Sequence, residues 1–150
     1  MTSVRIAFND QMTVNAYDLH AIRNFATGTI RSVLVTRRKD GGLQSSPMSC
    51  AADDDGTLLT ATPAASAKVH NLVRDPRITM CLFTDQWPGP WMHVEGEAEI
   101  TRLPEAMPLL VAYYARRGQD TSTQEFRERM QNQNRVLIRV KPQRIVRTKA

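Results

Sequence analysis

The stretch Thr60-Ala61-Thr62-Pro63-Ala64-Ala65-Ser66-Ala67-Lys68 joins a β-branched apolar run to a helical pattern. A strand-to-helix corner exposes free N–H groups at the helix start, where the aligned peptide dipoles favour anions. Ser66 offers a hydroxyl that serves equally as an N-cap and as a phosphate donor. Lys68 adds a formal positive charge. The chemistry this permits is phosphate binding. The same residues also make an ordinary N-cap with Lys68 in solvent, and the pattern by itself does not choose between the two.

Other chemistry-bearing residues are spaced against a site. His20, His70 and His93 are far apart and lack metal-ligand spacing to Cys or carboxylates. Asp53-Asp54-Asp55-Gly56 is acid-rich but lacks the twelve-residue ligand pattern of a calcium loop, and reads as a solvated turn. Glu95, Glu97 and Glu99 fall on one face of a strand and read as a solvated face rather than an acid–base pair. No GxGxxG, GxxxxGK[ST] or GxSxG motif occurs, which excludes the dinucleotide fingerprint, the P-loop and the nucleophile elbow. Cys50 and Cys81 form no CxxC pair and sit in apolar runs, so both read as reduced, small core residues.

The chain that carries these residues has 150 of them, 41% hydrophobic and 23% charged, enough for one domain with its own core. Its net charge of +5 favours anionic partners. The basic residues are scattered, however, and the densest cluster, Arg37-Arg38-Lys39, is followed at once by Asp40. Only 6% of residues are aromatic, so the stacking platforms of a nucleic-acid surface are scarce. No apolar run is long enough for a membrane span. Residues 1–10 lack an apolar leader core, and together with the unpaired cysteines this gives the expectation of a cytoplasmic protein.

The positioning elements follow from periodicity. Residues 1–12 read as an N-terminal arm and 13–150 as a single domain. Residues 13–26 space Val14, Tyr17, Ala21, Ile22 and Phe25 as an amphipathic helix, with Gly28 as its stop. Strands are expected at 29–36, Leu43–Ala52 and 57–62, with turns at Lys39-Asp40-Gly41-Gly42 and at Asp53-Asp54-Asp55-Gly56. That is an antiparallel meander. Ala67–Arg74 reads as a short helix with Val69, Leu72 and Val73 turned inward, stopped by Asp75-Pro76. Strands follow at 77–84 and Trp91–Thr101, then helices at 104–117 and 122–134, then two strands, 135–140 and 143–148, around Lys141-Pro142. This order suggests a small closed or nearly closed barrel with helices over its mouth and flank.

An ordered set of short pieces carries a resemblance. It comprises Asp40-Gly41, Pro47-Met48, Asp55-Gly56-Thr57-Leu58-Leu59, Ser66-Ala67-Lys68, Asn71-Leu72-Val73-Arg74-Asp75-Pro76-Arg77, and the Val94-Glu95-Gly96 stretch after Trp91. In that order, over about residues 13–148, they resemble the pyridoxamine 5′-phosphate oxidase-like split-barrel superfamily that binds flavins and deazaflavins. The likeness is greatest to actinobacterial F420-dependent oxidoreductases. The resemblance implies a mainly β, FMN-binding-like split barrel with flanking helices, a homodimer with its cofactor groove at the interface. It implies that Ser66 and Lys68 hold the cofactor phosphate with Asn71 behind them. Ser46, Pro47 and Met48 would lie along the ring, with Ala61 and Thr62 on the adjoining strand. Arg37 and Arg38 are the candidates for the anionic tail. The implied activity is hydride transfer between reduced F420 and a small organic substrate. An FMN-dependent oxidoreductase and a non-catalytic flavin or deazaflavin carrier are the alternatives. The chain departs from the family pattern at Ser66, where many relatives carry arginine, and at Gly42-Leu43, where Gly-x-Pro is common. No catalytic side chain is singled out, because hydride transfer is the cofactor's chemistry. His93 and Trp91 could shape a substrate pocket, with core packing the simpler role for Trp91.

Overall fold

Two tight turns start the sheet. In the computed structural model, which describes residues 16–26 and 30–147, Gly41 takes a φ of 84°, a conformation that side-chain-bearing residues avoid. The Arg38 N–H donates to the Gly42 carbonyl (2.8 Å), and Asp40 Oδ1 accepts the Gly42 N–H (2.9 Å). The turn joins β1 (Ile30–Arg37) to β2 (Leu43–Ala52) in a register from Ile30↔Cys50 to Arg37↔Leu43. Gly56, also at φ 84°, closes the next turn into β3 (Leu58–Pro63). A Cβ on Gly56 would come within 2.8 Å of Leu19 Cβ and the Leu19 carbonyl, so only glycine fits beneath α1 (Ala16–Phe25). The expected N-terminal arm and the Gly28 stop lie outside the described residues.

After β3 come α2 (Ala67–Arg74), β4 (Arg77–Phe83), β5 (Trp91–Thr101), α3 (Met107–Arg116), α4 (Gln124–Asn132) and β6 (Arg135–Arg147). The six strands form a closed antiparallel barrel in the order β1-β2-β3-β6-β5-β4. The fold class is therefore the mainly β split barrel with flanking helices that the sequence suggested. Among the described residues no helix is long and apolar enough to cross a membrane.

The end of the chain departs from expectation. Strands at 135–140 and 143–148 were expected; instead β6 is continuous. Proline usually interrupts a ladder because it has no N–H to donate. Here Pro142 stands opposite Gly96, at a register shift between Glu95 and Gly96 that absorbs the extra residue. A Cβ at Gly96 would sit 2.2 Å from the Lys141 carbonyl, so the close approach at this bulge requires glycine. Two smaller corrections concern helices. Val73 was expected to face inward but is 62% exposed, while Val69 and Leu72 alone carry the apolar face of α2. The expected helix at 104–117 starts at Met107, with Ala106 as its N-cap.

The core has two parts. Inside the barrel, Leu34, Cys50, Leu58, Met80, Leu82, Met92, Val94 and Ile138 pack with Ile22 of α1 and with Val69 and Leu72 of α2. Outside it, α3 and α4 lay Leu110, Tyr113, Tyr114, Phe126 and Met130 on Ala51, Leu59, Ala61 and Leu137. Strand β3 is consequently buried on both faces, which explains its unbroken run of small and apolar residues.

Cys50 is fully buried, and that burial pushes its thiol from the ordinary 9.0 up to about 12. The folded chain keeps the proton that the unfolded chain loses. The thiol therefore costs nothing below pH 9.0 and removes stability as pH rises from 9.0 towards 12. Cys81, half-buried, is raised for the same reason. With native protein at about pH 8, a disulfide reagent should modify Cys81 while Cys50 stays closed until urea is added. Mass spectrometry showing Cys50 modified first would contradict this packing.

Candidate functional site

Strands β2 and β3 share only two paired positions, Ala51↔Leu59 and Ala52↔Leu58. Beyond them the strands part. Side chains replace the missing ladder: the Ser49 carbonyl accepts from Thr60 Oγ1 (2.8 Å) and from the Tyr113 hydroxyl (3.0 Å). Burial raises the Tyr113 phenol, so it stays protonated and keeps donating. On the other edge, Ser32 Oγ donates to the Met48 carbonyl (2.8 Å).

A cavity of about 420 Å³ occupies this split. Pro47, Met48, Ser49 and Ala61 form its floor. Its roof comes from Tyr113, Tyr114 and Arg117 on and just after α3, and from Arg129 and Met130 on α4. Arg135, the first residue of β6, completes the wall, and among the described residues no carboxylate lines it. A second cavity of about 260 Å³ lies across β2, between Met48 and Phe83.

Neither Ser66 nor Lys68 of the expected phosphate corner lines this cavity. The Ala64 N–H donates to the Asn134 carbonyl (2.9 Å), which sets the corner beside the start of β6. Ser66 is the N-cap of α2, but its side chain makes no bond to the helix amides. Its Oγ instead accepts from Thr62 Oγ1 (3.3 Å). The Lys68 ammonium is held below its usual range, first by partial burial and then by repulsion from Arg135. A site that penalises cations in this way gains most from an anion.

The other expected residues divide. Pro47, Met48 and Ala61 share the cavity; Ser46 and the buried Thr62 stand on the same strands outside its lining. Asn71 is buried and its amide is spent on the protein. Nδ2 donates to Thr36 Oγ1 (3.1 Å) and Gln44 Oε1 (3.0 Å), while Oδ1 accepts from Arg74 (2.7 Å). It ties α2 to the β1–β2 hairpin. Arg38 is held by both oxygens of Asp40 and by the Leu43 carbonyl, and Arg37 stands 4.0 Å from Asp75. His93 and Trp91 do not line the cavity; His93 lies 3.4 Å from Glu95, whose carboxyl the Arg144 guanidinium holds below its usual range. Asp53 and Asp54 both contact Arg116 at the end of α3 (3.2 Å each).

Tyr113, Tyr114, Arg117, Arg129, Met130 and Arg135 were not singled out by sequence. No spacing marks them, because they come from separate elements that only the closed barrel brings together. The one available signal was the Tyr113-Tyr114 pair beside Arg116-Arg117, a polar and aromatic end on an otherwise apolar helix.

A basic, partly apolar cavity thus lies in the seam of a six-stranded antiparallel barrel. Residues 19–149 match the family model described as pyridoxamine 5′-phosphate oxidase, and the chain belongs to that family. No curated protein matches it. Among solved structures it is similar to a conserved hypothetical protein from Mycobacterium tuberculosis, with 28% identity, 91% of this chain and 86% of that one covered, and a TM-score of 0.68. It is also similar to an F420 reductase (20% identity, 82% and 94% covered, TM-score 0.63). A heme-binding protein from Mycobacterium smegmatis shares the fold (16% identity, 87% and 53% covered, TM-score 0.65).

Replacing Asn71 with alanine leaves Thr36, Gln44 and Arg74 short of a partner. Such a loss costs about 1–3 kcal/mol. The urea midpoint should fall accordingly; an unchanged midpoint would show that the cross-link adds nothing to stability.

Proposed function

We propose that the chain is an F420-dependent oxidoreductase that transfers hydride between the reduced deazaflavin and a small organic substrate. The observation that carries this reading is the cation-lined cavity in the β2–β3 split, whose wall residue Arg135 also repels Lys68 of the Ser66–Lys68 corner. Its composition fits the group: an apolar floor of Pro47, Met48 and Ala61 for a flat ring, cations on the walls, and no carboxylate to repel a phosphate. The likeness to an F420 reductase supports the choice of deazaflavin.

In this reading Ser66 and Lys68 hold the phosphate, with Asn71 fixing α2 behind them. Ser46, Pro47, Met48, Ala61 and Thr62 lie along the ring. Arg37 and Arg38 reach an anionic tail only by giving up Asp75 and Asp40. When bound, the cofactor supplies hydride chemistry; the chain binds, orients and excludes water. No cavity-lining side chain is set up as a general acid or base. The arginines stay charged at all working pH values, and Tyr113 holds its proton against the Ser49 carbonyl.

Parallel titration of the apo-protein with F420 and FMN tests the reading: micromolar or tighter binding of F420, with FMN weaker, supports it. Tighter binding of FMN would instead make the chain a flavin enzyme or carrier, and a loaded protein that turns over no quinone or enone would make it a carrier. Lys68→Ala should weaken binding roughly 10- to 150-fold, the worth of one charge-assisted hydrogen bond. Binding within about twofold of wild type would reduce the corner to a helix cap.

We also propose a homodimer. Leu43, Val73 and Trp87 are large apolar side chains left exposed at 59%, 62% and 90%, surface that a second copy could cover. Sedimentation equilibrium should give twice the 16.9 kDa chain mass; a stable monomer at micromolar concentration would sink the idea.

A further inference from the structure

Several arginines of the barrel surface are neutralised. Arg31, Arg38, Arg77, Arg116 and Arg144 each reach a carboxylate within 3.2 Å. The three that line the large cavity are different. Among the described residues, Arg117, Arg129 and Arg135 meet only neutral acceptors and rings. Arg117 donates to the Tyr113 hydroxyl at 3.5 Å and lies over the Tyr113 and Tyr114 rings, 5.5 and 5.7 Å from their centroids. Its Nε is buried and has no hydrogen-bond partner. Arg129 reaches Gln119 Oε1 at 3.5 Å and the Phe126 ring at 5.5 Å. Arg135 donates to Gln133 Oε1 (2.6 Å) and to the Ala61 carbonyl (3.3 Å).

Three uncompensated guanidiniums around one confined space repel one another, and Arg135 also repels the partly buried Lys68. A buried donor without a partner costs free energy that a ligand acceptor returns. Guanidinium forks match carboxylate and phosphate oxygens bidentately. Beside them, Met48, Met130 and the two tyrosines offer apolar and aromatic surface.

We propose that Arg117, Arg129 and Arg135 form a subsite for a ligand with two or more carboxylates or phosphates next to a flat apolar body. This deepens the functional reading above, because it takes the same cavity as the site; it does not depend on the cofactor's identity. Two sources supply that chemistry: the acidic tail of the deazaflavin, or the acid groups of the substrate. The hairpin arginines are poorer candidates, since Asp40 and Asp75 already face them.

The test is calorimetric titration of wild type, Arg117→Gln, Arg117→Lys and Arg129→Gln with three probes. These are benzene-1,3,5-tricarboxylate, F420, and a deazaflavin lacking both phosphate and glutamates. The subsite predicts that the tricarboxylate binds wild type and loses roughly ten- to hundredfold in Arg117→Gln, less in the more exposed Arg129→Gln, with only partial recovery in Arg117→Lys, which restores the charge but not the fork. A parallel loss for F420 but not for the tail-less ring identifies the cofactor tail as occupant. Unchanged F420 binding with weakened tricarboxylate identifies a substrate anion. If wild type binds neither F420 nor FMN while the tricarboxylate still depends on the arginines, the deazaflavin reading fails and the subsite stands. Arg129 is exposed, so its variant reports even if Arg117→Gln fails to fold. Wild-type affinity for the tricarboxylate that neither substitution changes, or no affinity at all, would overturn the proposal.

Discussion

The barrel closes through β6. This strand gives Arg135–Val140 to β3 on one edge and pairs along β5 on the other, joining the first three strands to the later pair. Such a long shared seam tolerates one irregularity, and the chain places it where Pro142 meets Gly96. The consequences run outward from there. Once β3 is locked to β6, its outer face has to be covered, and α3 and α4 supply that cover. Once β3 follows β6, it diverges from β2 after two pairs. The cavity is the space this divergence leaves, and Arg135, the first residue of the seam, is also part of the cavity wall.

The gap in the ladder is not left raw. Backbone groups that lose a strand partner are costly unless something else bonds them. Thr60 and Tyr113 both turn hydroxyls onto the Ser49 carbonyl, so the floor of the cavity is satisfied from within the chain. Asn71 fixes the α2 corner in the same manner from the hairpin side. Walls held this way are formed before a ligand arrives, which lowers the ordering cost of binding.

Much of this was legible. The Asp40-Gly41-Gly42 turn and the alternation from Trp91 onward are local signals. The bounds of β2, α2 and β5 follow from them, because turn chemistry and pleat act over a few residues. Pro142 misled for an equally local reason: a proline reads as a strand break unless the facing residue is known, and Gly96 lies far away in sequence. Val73 shows the narrowness of α2, whose inward stripe is two residues wide. Of the cavity lining, Pro47, Met48 and Ala61 were named only through the family resemblance, whereas Arg117, Arg129 and Arg135 converge only through long-range packing.

The charge pattern separates the molecule into two kinds of surface. On the outside, several arginines are matched to acid: Asp75 takes Arg77 and nears Arg37, and the neighbouring guanidiniums hold its carboxyl down to about 2. Arg116 is clamped by the acidic turn at Asp53-Asp54, which the sequence had marked as a solvated turn. In the cavity the rule reverses, and Arg117 is stacked on tyrosines instead of paired. Stacking stabilises a guanidinium through the ring quadrupole while leaving its hydrogen-bonding edge free. A carboxylate there would have neutralised the charge and occupied that edge. The choice of aromatic over acidic neighbours thus keeps both the positive charge and the buried Nε donor of Arg117 unneutralised beside the cavity.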